Sequence, residues 1–363
     1  MRGSNVPSTN VATAYDFAAR LLAWFDISGR HDLPWQHPRT PYRVWLSEIM
    51  LQQTQVKTAA PYFLRFVEAL PSLPALAAAP LDDVLALWSG LGYYARARNL
   101  RAAAQRCVEL HEGDLPRDLE ALTALPGIGR STAAAILSQA WGDRFAILDG
   151  NVKRVLTRYH GVAGWAGQPA IEKQLWAFAE AHLPAHRLAD YTQAQMDLGA
   201  TLCTRSNPAC VLCPLQDACV ARREGRITEL PTPKPGKVAP QRHAHVLWLE
   251  DERGRVLLQR RPPAGIWASL WTLPQADDAD AARTWFDTHL QGDFSAGEAL
   301  PVIAHAFSHY KLALQPLRWR SVAAREHVRD NADLRWVPRA QLSTLGIPAP
   351  IRTLLESAPL SSE

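Results

Sequence analysis

Apolar residues recur at helical spacing along the first two thirds of the chain. The pattern runs from Ala14 to about Arg226, with breaks at proline- or glycine-rich turns such as Leu115-Pro116. A proline-rich segment, residues 229–242, follows, and its composition favours extended structure. We therefore predict a helical domain over residues 14–228, preceded by a polar tail at residues 1–13, and then a linker.

The pattern changes to a period of two beyond the linker. Residues 243–249 and 255–259 are predicted strands on either side of a turn, so we expect a hairpin at the start of the second domain. The other predicted strands are residues 302–307, 311–317 and 335–337, and the predicted helices are residues 279–290 and 351–356. This mixture predicts an α+β domain over residues 243–357.

Composition fits a protein of ordinary globular type. The 363 residues suffice for two hydrophobic cores, and 47% hydrophobic with 20% charged residues exclude a disordered or fibrous class. Lys and Arg exceed Asp and Glu by only 39 to 35, which does not by itself argue for a nucleic-acid partner. Three basic clusters, at residues 96–106, 153–158 and 222–226, are compatible with DNA, but such clusters more often line solvated helix faces.

No segment predicts secretion or insertion into a membrane. The start of the chain lacks the apolar core of a signal peptide. The most apolar stretch, residues 73–81, contains two prolines and is far shorter than the ~20 residues of a membrane span. We expect a cytoplasmic protein with no membrane role.

Two glycines lie in a tight turn between helical segments, in the run Leu-Pro-Gly-Ile-Gly at residues 125–129. Such a turn lets the backbone approach a phosphate, and the amides of the following helix can donate to its oxygens, although a turn of this kind also joins helices without a ligand. Twenty residues later, Asp149 begins another helix, whose dipole favours an ionised carboxylate. A plain N-cap is the simpler explanation of Asp149 alone.

A second carboxylate, Glu48, lies among apolar residues. A helix that begins near Pro41 places Val44, Trp45 and Leu51 beside it at three- and four-residue spacing. Burial of this kind raises a carboxyl pKa and keeps the group protonated near neutral pH, as a general acid requires. Glu48 and Asp149 together suit cleavage of a glycosidic bond, in which the base is protonated and a sugar cation is stabilised.

Four of the five cysteines form one cluster, with the spacing C-x6-C-x2-C-x5-C: Cys203, Cys210, Cys213 and Cys219. Clustered thiols in an intracellular protein indicate metal ligation. Structural zinc sites usually have paired short spacings, and here a single pair is short, whereas irregular spacing also occurs in [4Fe-4S] proteins. Both metals remain open on spacing alone.

These motifs together resemble the helix-hairpin-helix DNA glycosylases that carry an iron-sulfur loop. The runs Trp-Leu-Ser-Glu-Ile-Met-Leu-Gln-Gln-Thr-Gln-Val at residues 45–56 and Gly-Leu-Gly-Tyr-Tyr-Ala-Arg-Ala-Arg-Asn at residues 90–99 resemble the adenine DNA glycosylases of the MutY family. The resemblance covers about residues 15–340. It implies an all-α catalytic domain with a [4Fe-4S] cluster at residues 203–219, followed by a Nudix-like domain. That domain lacks the acidic helix of Nudix hydrolases, so it is expected to recognise rather than hydrolyse.

The resemblance also implies roles for individual residues. Glu48 protonates adenine at N7, Asp149 stabilises or traps the sugar cation, and Asn151 orients Asp149. Ser131 stands where bifunctional members such as endonuclease III have a Schiff-base lysine, which implies base removal without efficient strand cutting. The remaining implied positions are Trp35, Gln36 and Gln193 in the adenine pocket; Gln53, Tyr93, Gly127, Ile128, Gly129 and Arg205 at the DNA; and Phe307, Ser308 and His309 at the 8-oxoguanine.

The expected partner is double-stranded DNA with an adenine opposite 8-oxoguanine or guanine, bound by a monomer that flips the adenine out. Two alternatives remain. An endonuclease III-type pyrimidine glycosylase and lyase shares most motifs, but Ser131, Glu48 and the extra domain weigh against it. In a non-catalytic DNA-binding iron-sulfur protein, both carboxylates would be structural.

Overall fold

The structure is a computed structural model that describes residues 11–236, 239–307, 310–329 and 331–357. It divides into two compact units. The first unit comprises the chain up to Ala77 together with Ala102–Gly236, and the second comprises Ala78–Arg101 together with the chain from Lys237 onwards. None of the helices described is long and apolar enough to cross a membrane.

The chain up to residue 223 is helical, as predicted. In chain order the helices are α1 Val11–Ser28, α2 Pro41–Leu51, α3 Val56–Ala69, α4 Leu73–Ala78, α5 Leu81–Leu87, α6 Ala95–Leu110, α7 Leu119–Thr123, α8 Arg130–Trp141, α9 Gly150–His160, α10 Pro169–Ala181, α11 Leu188–Thr201 and α12 Val220–Arg223. Short 3-10 helices at Cys210–Leu212 and Gln216–Ala218 lie in the cysteine loop.

Local sequence explains where α2 and α9 begin. Thr40 caps α2 by accepting a hydrogen bond from the Arg43 amide at 3.3 Å, and Pro41 occupies the first helical position, where its missing N–H costs nothing. Asp149 caps α9 by accepting from the Val152 amide at 2.8 Å. Helix α9 ends at Gly161, whose φ of 66° suits glycine.

Packing in the first unit brings the ends of several helices together. Residues of α1, α8, α9 and α11 share one core that includes Phe17, Leu21, Leu156 and Tyr191, each at most 1% exposed. Helix α2 packs against α8. These contacts place the C-terminal half of α2 beside α8 and beside the start of α9.

The second unit is α+β, which confirms the predicted class. Its strands are β1 Gln241–Leu249, β2 Val256–Arg260, β3 Trp271–Thr272, β4 Gln275–Ala276, β5 Leu290–Gln291, β6 Glu298–Ala299, β7 Ile303–Ala306, β8 Lys311–Trp319, β9 Ala323–Ala324 and β10 Leu334–Val337, and its further helices are α13 Ala279–His289, α14 Glu326–Arg329 and α15 Ala349–Ser357. One sheet has the order β4-β1-β8-β6, with β7 also paired to β8, and another has the order β10-β2-β3.

The predicted hairpin between the first two strands is wrong. Strand β1 pairs in parallel with β8 along its whole length and antiparallel with β4, so both of its edges are occupied. Strand β2 lies in the other sheet, and a single bridge from Glu250 to Val256 links the region to β1. The period of two identified both strands, but it could not reveal a partner some 70 residues away.

The second unit includes a segment that the helical pattern had suggested for the first domain. Asp82 of α5 forms an ion pair with Arg260 at 2.6 Å. The Tyr94 hydroxyl, in the turn before α6, donates to the carbonyl of Ile347 at 3.2 Å. Arg98 of α6 donates through Nη1 to the carbonyl of Ala268, in the loop before β3, at 2.8 Å. Helical spacing predicts a helix without saying which core the helix joins.

The beginning of the predicted linker packs against the first unit. Leu230 is 2% exposed, and its carbonyl accepts a hydrogen bond from Arg158 Nε at 2.8 Å. Thr232 accepts from the Gly164 amide at 3.1 Å and pairs as a bridge with Trp165. Extended structure was predicted here, and these contacts fasten that extended segment rather than leave it free.

Candidate active site and cysteine loop

A cavity of about 1060 Å³ opens in the first unit where α2, α8, α9 and α11 meet. Both carboxylates singled out in the sequence, Glu48 and Asp149, line it. The other lining residues with a predicted role are Trp35, Gln53, Ser131, Asn151, Gln193 and Arg205. Residues far apart in sequence therefore form one site.

Glu48 lies in a setting that keeps its carboxyl group protonated near neutral pH. Burial, and to a smaller extent the nearby charge of Asp149, raise its pKa from the ordinary value to about 7. Gln139 of α8 donates a hydrogen bond to Glu48 Oε1 at 2.8 Å, which opposes the rise. A carboxyl group with a pKa near the working pH can donate a proton efficiently.

Asp149 has more groups that favour its charged form. Burial raises its pKa above the ordinary value on balance, although the backbone amides of Val152 and Asn151 and the charges of Arg154 and Lys153 limit the rise. Its position as N-cap of α9 also points the helix amides at the carboxylate. The plain capping role and the anionic role thus coexist in one side chain.

The glycine turn before α8 has the properties of a phosphate-binding backbone. Gly127 has a φ of 80°, which suits glycine, whereas Gly129 has an ordinary φ of −92°. A Cβ on Gly129 would meet no described atom within 4 Å, so the chain's own packing does not require glycine there. No side chain caps α8, and a bound anion could satisfy the amides of its first turn.

The four clustered cysteines line a second, separate cavity in the first unit. Its walls are otherwise largely apolar, with Val155, Leu198, Leu202 and Leu215 among them. Arg158, which is 3% exposed, lies beside this cavity and donates to Cys203 Sγ at 3.5 Å. Among the residues described, no three Cys, His, Asp or Glu side chains are grouped closely enough to hold a single metal ion.

Comparison with known proteins decides the family. The chain is 37% identical to the adenine DNA glycosylase of Buchnera aphidicola subsp. Acyrthosiphon pisum (strain APS) over 345 residues, which make up 95% of this chain and 98% of that protein. The chain belongs to the adenine DNA glycosylase family. The human member is 33% identical in an alignment of 367 positions, which covers 84% of this chain and 67% of the human protein.

Family models and a solved structure agree with this assignment. Residues 46–181 match the model of the HhH-GPD superfamily of base excision DNA repair proteins, and residues 245–357 match the NUDIX domain. A thermostable thymine-DNA glycosylase of known structure superposes with a TM-score of 0.54 at 26% identity, over 59% of this chain and all of that one. The predicted fold class, a helix-hairpin-helix domain followed by a Nudix-like domain, is confirmed.

The three residues expected in the adenine pocket differ in their surroundings. Trp35 and Gln193 line the cavity, and both are 3% exposed. Trp35 also packs its ring against Phe63, with 5.5 Å between ring centroids. Gln36 does not line the cavity, because its amide is bonded to the Leu33 amide and the Arg30 carbonyl within its own turn.

Asn151 and Ser131 both form hydrogen bonds close to Asp149. The Asn151 side chain accepts a hydrogen bond from Arg154 Nη2 at 2.8 Å, and it is the Asn151 backbone amide that favours charged Asp149. The Ser131 hydroxyl accepts from the Leu148 amide at 2.9 Å, so it fixes the backbone next to Asp149.

The positions expected to contact DNA are partly exposed and partly buried. Gln53 and Tyr93 are both exposed, and both have positive φ angles, 58° and 50°, which are rare for residues other than glycine and often mark functional turns. Arg205 lines the cavity. Ile128 is 4% exposed, and its amide donates a hydrogen bond to the carbonyl of Leu125. Ile128 therefore helps to set the shape of the turn.

Of the residues expected to meet 8-oxoguanine, Ser308 and His309 lie outside the described part of the chain. Phe307 is half-buried in the second unit, where its ring lies 4.8 Å from that of Tyr310 and 5.8 Å from that of Trp267, between centroids. Those ring contacts give Phe307 a packing role whatever else it binds.

Sequence reasoning missed several residues that shape the site. Gln139 and Asp197 act through contacts with residues 91 and 167 positions away, and no local pattern marks them.

Two of the basic clusters are also less exposed than a solvated helix face would be. Arg158 holds the carbonyls of the cysteine loop, and Arg96, which is 8% exposed, donates to two carbonyls of the turn before α6.

Proposed function

We propose that the protein hydrolyses the N-glycosidic bond of adenine paired with 8-oxoguanine or guanine in double-stranded DNA, and that it acts as a monomer. The observation that carries this proposal is the pair of carboxylates in one cavity. Burial raises the pKa of both carboxyl groups: that of Glu48 rises to about 7, whereas four neighbouring groups limit the rise for Asp149 and favour its charged form. Membership of the adenine DNA glycosylase family indicates that the base removed is adenine.

In the proposed reaction Glu48 acts as the general acid. Its proton passes to N7 of the flipped adenine, the bond between N9 and C1′ breaks, and the sugar becomes cationic. Asp149 stabilises that cation through its negative charge, or adds to it covalently. Water then bonds to C1′ and gives its proton to the carboxylate of Glu48, which restores the acid.

The same cavity favours base removal without strand cutting. Ser131 lies there instead of an amine, and its hydroxyl is already the acceptor for the Leu148 amide. Lys153 of α9 forms an ion pair with Glu172 at 2.6 Å. Lys57 of α3 lines the cavity, but it is exposed and does not stand at the position of the Schiff-base lysine. A Schiff base with the sugar needs a free, deprotonated amine, which neither Ser131 nor Lys153 provides.

We further propose that Cys203, Cys210, Cys213 and Cys219 hold a [4Fe-4S] cluster. Four thiols around one cavity whose other walls are largely apolar suit a cluster in which each thiolate binds a different iron. When bound, such a cluster would cross-link the loop. Arg205 belongs to that loop and lines the catalytic cavity, so the loop connects the thiols to the DNA-binding surface.

The second unit is proposed to recognise the base opposite the adenine. It matches the NUDIX domain model, and its sequence lacks the acidic helix of Nudix hydrolases, which favours binding over hydrolysis. Phe307 and the two residues that follow it are the proposed contacts, by resemblance to the family.

One assay tests the proposal against both alternatives. Single-turnover reactions are run on duplexes with adenine opposite 8-oxoguanine, adenine opposite guanine and an oxidised pyrimidine opposite guanine, and each product is analysed with and without alkali. We expect free adenine from the first two duplexes and strand breaks after alkali alone. Breaks without alkali, or cleavage of the pyrimidine duplex, would favour the lyase. Binding without any base release would favour the non-catalytic protein.

A further inference from the structure

Asp197 of α11 is a fully buried carboxylate at the back of the catalytic cavity wall. It is 0% exposed, and every hydrogen bond described for its carboxylate is one that it accepts. The donors are the Arg30 amide at 2.7 Å, Arg30 Nε at 2.9 Å, Arg30 Nη2 at 2.6 Å and Gln193 Nε2 at 2.7 Å. Arg30 and Gln193 line the cavity, whereas Asp197 is not among the lining residues.

This arrangement fixes the orientation of the Gln193 side-chain amide. A glutamine amide has a donor end and an acceptor end, and the two ends have nearly the same shape. The carboxylate of Asp197 can only accept, because the Arg30 guanidinium already donates to the same oxygen. The NH₂ end of Gln193 must therefore face Asp197, and its Oε1 must point away from it.

Gln193 Oε1 is buried and has no hydrogen-bond partner among the described residues. A buried acceptor without a donor is costly, so a ligand that brings a donor to this position is favoured over one that brings a second acceptor. Adenine carries an amino group on C6. Hypoxanthine and guanine carry a carbonyl oxygen at the same place.

We propose that Asp197 is a positioning residue for base selection: by holding the NH₂ end of the Gln193 amide, it leaves Gln193 Oε1 as the acceptor for the base and so favours 6-aminopurines over 6-oxopurines. The inference rests on the proposed function, since it concerns which base that site accepts. The same contacts could serve only to fasten α11 to the segment at Arg30, and the two roles predict different results.

The experiment measures single-turnover release of adenine and of hypoxanthine, each opposite 8-oxoguanine, by the full chain. The ratio of the two rates is compared between wild type, Asp197→Asn, Gln193→Met and the double variant. Comparing ratios cancels the different intrinsic reactivity of the two bases. Asparagine has a single acceptor oxygen, for which Gln193 and the amide and guanidinium of Arg30 then compete, and its NH₂ group can donate to Gln193 instead, so the Gln193 amide is no longer held in one orientation.

We expect the adenine-to-hypoxanthine ratio to fall about tenfold in Asp197→Asn, as for the loss of one buried hydrogen bond. Gln193→Met keeps the bulk of the side chain without the acceptor, so its ratio should fall similarly. In the double variant, Asp197→Asn should cause no further fall. Asp26→Asn is the matched control, because Asp26 tethers α11 to α1 through Arg187 and does not line the cavity. Its ratio should equal that of wild type.

An unchanged ratio in Asp197→Asn, with a uniform loss of both rates, would overturn the inference in favour of a fastening role. A lower adenine-to-hypoxanthine ratio in the double variant than in Gln193→Met alone would also overturn the inference, since Asp197 would then act through another group. If Asp197→Asn does not fold, the ratio of Gln193→Met decides, and an unchanged value there refutes the idea. Wild-type protein that releases no adenine would instead overturn the proposed function itself.

Discussion

Replacing Glu48 with glutamine should abolish adenine release and also stabilise the folded protein at alkaline pH. The pKa of Glu48 is raised from 4.5 to about 7, mainly by burial. Below pH 4.5 the group is protonated in both the folded and the unfolded states, so it carries no penalty. Between pH 4.5 and 7 the unfolded state alone ionises, and stability falls as the pH rises. Above pH 7 the loss is complete, at about 3 kcal/mol.

Glutamine does not titrate, keeps an acceptor for Gln139 and cannot deliver a proton. The stability gain of Glu48→Gln over wild type should therefore be about 2–3 kcal/mol larger at pH 8.5 than at pH 5. Chemical denaturation at the two pH values measures it. Glu180→Gln is the control, because Glu180 lies exposed in a surface ion pair with Arg130 and should show no such pH-dependent gain. A gain of equal size at both pH values, or near-normal adenine release, would refute the assignment of Glu48 as a general acid with a raised pKa.

Three other perturbations test other parts of the site. Asp149→Asn should slow single-turnover release of adenine at least ~100-fold, because it removes an anion beside the sugar cation. It should keep the cap of α9, since asparagine also caps helices. Unchanged rates would leave Asp149 with a capping role alone. Cys213→Ser should weaken duplex binding or folding more than the bond-breaking step, and a soluble, colourless variant with normal DNA affinity would contradict the role of the cluster in organising the DNA-binding loop. Deleting everything after Thr228 should make residues 78–101 sensitive to protease, because Leu85 packs close to Gly346 of the second unit; equal resistance would refute that packing.

The effect of this truncation differs from what the proline-rich linker suggests. A flexible linker implies two domains that fold independently, so that the cut would remove lesion recognition alone. In the structure, α5 and the turn before α6 belong to the second unit. The cut would therefore also remove packing partners of a segment that carries Tyr93, and a loss of specificity after truncation would have two causes.

The parts of the site that the sequence predicted are those set by local geometry. Partial burial of Glu48 among apolar residues followed from the spacing of its neighbours along α2, and the cap formed by Asp149 followed from its place before α9. The four cysteines were recognised by spacing alone, and they do line one cavity.

The parts that the sequence could not predict depend on long-range contacts. Gln139 reaches Glu48 across 91 positions and Asp197 reaches Arg30 across 167, and both residue types are too common to mark a site. The pairing of β1 with β8 is of the same kind. Basic side chains were misleading for a related reason, since an arginine that donates to backbone carbonyls has the same sequence pattern as one exposed to DNA.

Proton delivery from Glu48 to N7 is the central claim, and one substrate tests it most directly. In 7-deazaadenine a C–H group replaces N7, so the base has nearly the same shape but cannot accept the proton there. Single-turnover release is measured from matched duplexes with adenine or 7-deazaadenine opposite 8-oxoguanine, together with the affinity for each. The account predicts that both duplexes bind with similar affinity and that adenine alone is released. Release of both bases at comparable rates would contradict it.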